Sequence, residues 1–255
     1  MSPFQPRKAA MLHPARIAVA VYFMISGAVL AAWIVRIPDI KAQLQLSDGQ
    51  LGSALLSIPA GAFMGQILTG WLLPSWGSRR LTIVLTLLSC VIFPLLGIAN
   101  SLLMLMLTLA LFGVIFGGMD VAMNAQGALI ERNNGQPIMS SLHGMWSVAG
   151  LISASIGGYL AGQSTPILGH FTAMALVSCV AAVAVYRNTI ADPKQMSREG
   201  HAFALPPLAL LPLGVIAFSV MLCEGAIGTG APCICAKALV AHRRSQRSAI
   251  SSSHC

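Results

Sequence analysis

The chain has 255 residues, 56% of them hydrophobic and 9% charged, with a formal net charge of +8. Soluble domains carry about 25% charged residues, so this composition excludes an ordinary soluble enzyme or binding module. The positive balance is no nucleic-acid footprint, because no basic patch interleaves with aromatic residues, and the mean hydropathy of +0.78 points to a membrane instead.

An α-helix needs about 20 apolar residues to cross ~30 Å of hydrocarbon, and seven runs of that length follow one another here. Residues 1–16 form a basic N-terminus. The first run, Ile17–Val35, is followed by Arg36, Ile37 and Pro38 rather than by a small-residue cleavage site. It is read as a retained helix, not a signal peptide. Trp33 fits an interfacial aromatic belt, and Asp39 and Lys41 fall in the outer connector. The second and third runs are Leu51–Leu73 and Leu81–Ala99.

The fourth run, Leu102–Asn124, holds Asp120. An ionisable group at bilayer depth is costly unless it faces a cavity or a partner, and so it is a functional candidate. Asn124 follows four residues later, and Gly113 and Gly117 precede Asp120 on the same stripe. Asp120 therefore suits proton exchange or a substrate hydroxyl, or else serves as a structural carboxylate. Glu131 and Arg132 end this helix on the cytoplasmic side, as solvated ends, a gate salt bridge or a substrate contact.

The fifth run, Ser140–Gly162, opens with His143 and Trp146. His143 is either a proton shuttle or a helix-end histidine. Trp146 either stacks on a ring or packs. The sixth run is Pro166–Tyr186, and the connector at 187–205 contains Asp192, Pro193, Lys194, Arg198 and Glu199. The seventh run, Pro206–Gly228, carries Glu224 between small residues, facing a cavity or solvated near an exposed end. Residues 229–255 form a short basic tail with no further span.

Small residues at four-residue spacing, as in Gly61/Gly65, Gly113/Gly117 and Gly158/Gly162, mark faces where helix backbones approach. Cys90, Cys179 and Cys223 lie inside apolar runs, and Cys233, Cys235 and Cys255 lack the spacing of a zinc site. With no nucleophile triad, phosphate loop or ligand cluster, the sequence predicts no metal, no cofactor and no enzyme. Lys and Arg choose the orientation. With the N-terminus in the cytoplasm, the inner segments hold Arg7, Lys8, Arg16, Arg79, Arg80, Arg132, Arg187, Lys194 and Arg198. The outer connectors then hold only Arg36 and Lys41. The tail's Lys237, Arg243, Arg244 and Arg247 fall outside, against the rule.

Three stretches carry a resemblance: Trp33-Ile-Val-Arg-Ile-Pro-Asp-Ile-Lys41 with Leu46-Ser-Asp-Gly-Gln-Leu-Gly52, Gly117-Gly-Met-Asp-Val-Ala-Met-Asn124, and Ser140-Ser-Leu-His-Gly-Met-Trp-Ser-Val-Ala-Gly150. Together they resemble transporters of the major facilitator superfamily, among bacterial inner-membrane permeases near the fucose permease branch. The resemblance implies an all-α, polytopic membrane fold, with the family's N-terminal six-helix half at 17–186, a cytoplasmic linker at 187–205 and one helix of the second half at 206–228. The family's loop between its second and third helices reads Gly-x-x-x-Asp-Arg-x-Gly-Arg-Arg. Gly70, Gly77 and Arg79 match it and Arg80 follows, whereas Pro74, Ser75 and Ser78 replace its Asp and two Arg residues. The resemblance makes Gly70, Gly77, Arg79 and Arg80 gate candidates, and the substitutions put the family's charge relay in doubt.

Related permeases continue after this point with an Asp-Trp-Ser-Ala-Leu-Tyr-Leu-Arg-Glu-like stretch. The tail reads Thr229-Gly-Ala-Pro-Cys-Ile-Cys-Ala-Lys237. Codons for it, regrouped by a single base, can encode that stretch, so residues 229–255 are expected to be a frame-shifted continuation. The function expected is secondary transport of a small polar solute, sugar-like or another metabolite, coupled to protons across a bacterial inner membrane. Asp120, Asn124, His143, Trp146 and Glu224 would lie along the pathway, and the fragment alone is expected to be inactive. The alternative is a half-transporter that dimerises, or a membrane interaction or regulatory protein. Lipid and a small molecule are the expected partners, and nucleic acid is not.

Overall fold

The computed structural model describes residues 6–192, with side chains from Pro14 onward, and beyond these only the helical positions Pro212, Val215 and Ser219. The rest of the expected seventh helix, Glu224 and the tail lie outside the described residues. Six helices follow in order: α1 (Pro6–Gln43), α2 (Asp48–Trp76), α3 (Ser78–Gly97), α4 (Leu102–Asn134), α5 (Met139–Gly162) and α6 (Ile167–Tyr186). All six are long and apolar enough to cross a membrane, α1 from Pro14 onward. The described residues contain no strand. The protein is an all-α, multi-pass membrane protein, in which every backbone polar group must be satisfied within its own helix.

Local signals set the boundaries. Ser47 starts α2 with a capping box, its hydroxyl accepting from the Gln50 N–H while the Gln50 side chain accepts from the Ser47 N–H. Ser101 caps α4, and Gly135 ends it in the left-handed conformation at φ 66°. The expected end of the first helix is corrected. It continues from Val35 to Gln43, so Arg36–Lys41 is helix and not connector. Pro38 lacks the N–H that would bond the Ile34 carbonyl. The helix passes through it because Ile37 and Ile40 on either side are buried against the bundle.

α1 is the centre of the bundle. It packs against α5 and α6 and touches α4, while α2 lies along α4 and α3 fits between α4 and α6. Trp33 is 1% exposed, tilted against Phe171 of α6, which in turn stacks on Phe93 of α3 at 4.3 Å between centroids. This overturns the interfacial reading of Trp33. Belt tryptophans keep a wet edge, whereas this one is enclosed because α1 occupies the middle of the bundle.

Two of the small-residue pairs meet each other. A Cβ on Gly61 or Gly65 would overlap the Ala110 or Val114 carbonyl of α4, and one on Gly113 or Gly117 would strike Ile58 or Ala62 of α2. The α2 and α4 backbones are therefore in van der Waals contact, which substitutes for a hydrophobic driving force that lipid does not supply. The third pair is corrected. A Cβ on Gly162 would meet nothing, and one on Gly158 only the edge of Val35 at 3.9 Å. The close approach is made by Gly157, whose Cβ would lie 2.6 Å from Val35 and 3.0 Å from the His170 ring.

Candidate functional site

Of the stripe read on α4, Gly113 and Gly117 pack against α2, while Asp120 and Asn124 meet as i,i+4 neighbours. The Asn124 amide donates to the Asp120 carbonyl at 2.9 Å and to its Oδ1 at 3.0 Å. Among the described residues no donor reaches Oδ2, so half of the carboxylate's accepting capacity remains for a proton or a solute. His143 of α5 is near enough to Asp120 for a Coulombic interaction. Its ring stands edge-on to Phe23 of α1 at 5.2 Å. Helices α1, α4 and α5 thus bring Asp120, Asn124 and His143 into one neighbourhood.

Trp146 joins it through the backbone. A Cβ on Gly27 of α1 would overlap the Trp146 carbonyl and lie 3.2 Å from the ring carbon Cγ, so the indole is held close to α1. Ser153, two turns further along α5, donates to the Ala28 carbonyl at 2.7 Å and fixes the same helix pair. Asp120, Asn124 and Trp146 are half-buried and His143 is exposed. A partly covered carboxylate, an amide, an imidazole and an indole can bind a hydroxylated solute and relay a proton.

The gate candidates separate. Gly70 is exposed, and a side chain there would meet nothing. Arg80 is exposed at the start of α3, and Arg132 at the end of α4. Gly77 is required by the turn between α2 and α3, where φ is 77°. Glu131 is a cap. Its Oε1 accepts the N–H groups of Ile138 at 2.6 Å and Met139 at 2.8 Å, which begin α5. Arg79 is bound into the segment after α6, its guanidinium 3.4 Å from the Tyr186 and Arg187 carbonyls and 4.9 Å from the Tyr186 ring centre.

Two polar clusters escaped the reading of the sequence. Near the end of α1, Arg36 is 1% exposed; its Nη1 donates to Asp39 at 2.7 Å and its Nε to His170 Nδ1 at 3.3 Å. Because a guanidinium only donates, His170 accepts at Nδ1 and carries its proton on Nε2. At the opposite end of the bundle, Gln126, Ser78 and Asp192 form a hydrogen-bonded chain. A signal was present for both. His170 is a polar residue inside an apolar run, which lipid tolerates only when it is partnered, and Gln126 follows the predicted fourth run on the same helix, two residues beyond Asn124. Among the described residues no cluster of potential ligands could hold a metal ion.

Comparison with known proteins gives this arrangement a context. The family model for the Major Facilitator Superfamily matches residues 17–249. An uncharacterized MFS-type transporter of Yersinia pestis is 30% identical over 205 residues, covering 80% of this chain and 53% of the relative. The uncharacterized transporter y4wD of Sinorhizobium fredii is 32% identical over 213 residues, covering 81% and 55%. Membrane protein MosC of Rhizobium meliloti is 33% identical over 217 residues, covering 82% and 51%. The chain spans about half the length of the curated relatives it matches.

Proposed function

Since the chain belongs to the Major Facilitator Superfamily, a transporter family and not an enzyme family, we propose that it supplies one wall of a pathway for a small polar solute moved together with protons. Lipid surrounds such a protein, and a small molecule is its cargo. The reading rests on one observation: Asp120 stands half-buried in a membrane-crossing helix, with Oδ2 undonated among the described residues, beside Asn124 and within the field of His143. A carboxylate at that depth is retained at a cost and has an open position for a proton.

In the proposed cycle Asp120 takes and gives the proton, Asn124 orients its carboxylate, and His143 carries protons to or from it. Trp146 offers an apolar plane to a sugar-like or similarly hydroxylated solute. Likeness to the fucose permease branch in the three quoted stretches favours such a cargo. The Lys and Arg distribution favours a cytoplasmic N-terminus in a bacterial inner membrane. Superfamily transporters alternate access by rocking two halves about a midplane site, so transport is proposed to need a second wall facing α1 and α4.

The test is a chain extended at Gly228 by the C-terminal half of the Yersinia relative, placed in vesicles with an imposed proton gradient. Uptake across a panel of sugars and other polar metabolites should show at least one gradient-driven substrate. Asp120→Asn should abolish the gradient's effect while leaving substrate binding within about tenfold, because one hydrogen bond is worth ~1 kcal/mol. Coupling that survives in Asp120→Asn removes this residue from the mechanism. The alternative, a dimerising half-transporter, is favoured instead if the unextended chain transports and cross-links as a defined dimer.

A further inference from the structure

The chain leaving α6 folds back onto the bundle. Gln126 of α4, fully buried, donates through Nε2 to the Ser78 hydroxyl at 2.6 Å and to the Ile190 carbonyl at 2.9 Å. The Ser78 hydroxyl passes its own proton donation to Asp192 Oδ1 at 2.6 Å, and the Arg79 N–H donates to Asp192 Oδ2 at 3.1 Å. Donor and acceptor roles are consistent along the whole chain, since Gln126 Nε2 only donates, the hydroxyl accepts once and donates once, and the carboxylate only accepts.

The same geometry supplies the start of α3 with its cap. Gly77 precedes α3 and has no side chain with which to cap the helix. Asp192 does so from more than a hundred residues away, its carboxylate lying where the first N–H groups of α3 point. A Cβ on Gly77 would lie 2.7 Å from Asp192 Oδ2, so the glycine makes room for the remote cap as well as the turn. Arg79 closes the other side of the loop against the Tyr186 and Arg187 carbonyls.

We propose that Asp192, Ser78 and Gln126 form a clasp that docks residues 187–192 onto the α2–α3 turn and opens as a unit, so that displacement of the chain downstream is delivered to α3 and α4. The clasp is local in the sense of an independently opening element, because its polar bonds lie at one end of the bundle, where Ile190 of the same segment also packs against the apolar core. Gln126 lies six residues beyond Asp120 on α4, roughly 9 Å along the helix axis. A pull on Asp192 therefore acts on the helix that carries the half-buried Asp120 carboxylate. This inference stands on the hydrogen-bond chain and is independent of any substrate.

The experiment is trypsin cleavage of the 255-residue chain in lipid nanodiscs, followed separately at Arg187 and at Arg132. Arg132, at the exposed end of α4, serves as an internal measure of the whole fold. Cleavage follows the population of the open form when opening and closing are fast. Asp192→Ala and Gln126→Leu should each raise the Arg187 rate about tenfold, the factor expected for losing roughly 1.4 kcal/mol of hydrogen bonding. Their combination should add less than a further twofold, because either loss opens the same clasp. The Arg132 rate should stay unchanged in all three. Two results overturn the proposal: an Arg187 rate that does not move, or Arg187 and Arg132 rates that rise together, which would make these residues part of the general fold. Ser78→Ala supplies an independent third variant if either of the others does not assemble.

Discussion

Gly65→Val should prevent the six helices from assembling into a stable bundle. The seam between α2 and α4 is backbone on backbone, and a side chain at position 65 would meet the Val114 carbonyl carbon at 2.7 Å and its Cα at 2.9 Å. Neither atom can rotate away, so α2 must move outward as a rigid rod and release its contacts at Gly61, Gly113 and Gly117 with it. Overpacking of an ordinary core costs about 1–3 kcal/mol; with backbone as the obstacle the loss should reach or exceed that upper end. The check is thermal denaturation in detergent, followed through exposure of the partly covered thiols of Cys90 and Cys179 on α3 and α6. Gly162→Val, at a glycine that a Cβ would leave in open space, is the matched control and should denature like the parent. Equal behaviour of the two variants would refute the seam.

Arg36→Leu should be the next most damaging change. Its guanidinium is enclosed between α1 and α6, bonded to Asp39 and to His170. Its removal leaves a carboxylate and an imidazole nitrogen without their donor. Breaking one side of a buried pair costs about 3–5 kcal/mol, and the lower figure is expected because the Asp39 side chain is 38% exposed. Restoring neutrality should recover part of the loss, so Arg36→Leu combined with Asp39→Asn should be more stable than Arg36→Leu alone. Arg36→Lys should remain impaired, since an ammonium cannot reproduce the fork that reaches both partners. An unfolding titration that ranks the double variant below the single one would show that Asp39 is not the counter-charge.

These two sites differ in what announced them. The α2–α4 seam was readable, since Gly61/Gly65 and Gly113/Gly117 share the spacing that aligns residues on one helix face. What spacing could not say is that these two pairs would meet each other, or that Gly157 rather than Gly158/Gly162 would make the approach on α5. The Arg36 cluster was misplaced for a different reason. A proline after a charged residue reads as a helix end, and only the packing around Ile37 and Ile40 carries α1 through to Gln43.

Among the site candidates, Asp120 and Asn124 were legible because they lie on one helix and their distance is a property of helical geometry. His143 and Trp146 were found as polar and aromatic residues at a helix start, but their position beside Asp120 and Gly27 depends on how α1 separates α4 from α5. Glu131, expected at a gate, caps α5. Asp192 read only as a charge in a linker.

The sequence by itself determined the class of this protein. Run length, the exclusion of charge from those runs and the four-residue spacing of small residues are local quantities, and lipid permits few answers to them. The tertiary structure alone decided which polar atoms meet, because hydrogen bonds such as Asp192 to Ser78 and Arg36 to His170 join residues more than a hundred positions apart. No periodicity records a partner at that separation; it exists only once helices have chosen their neighbours.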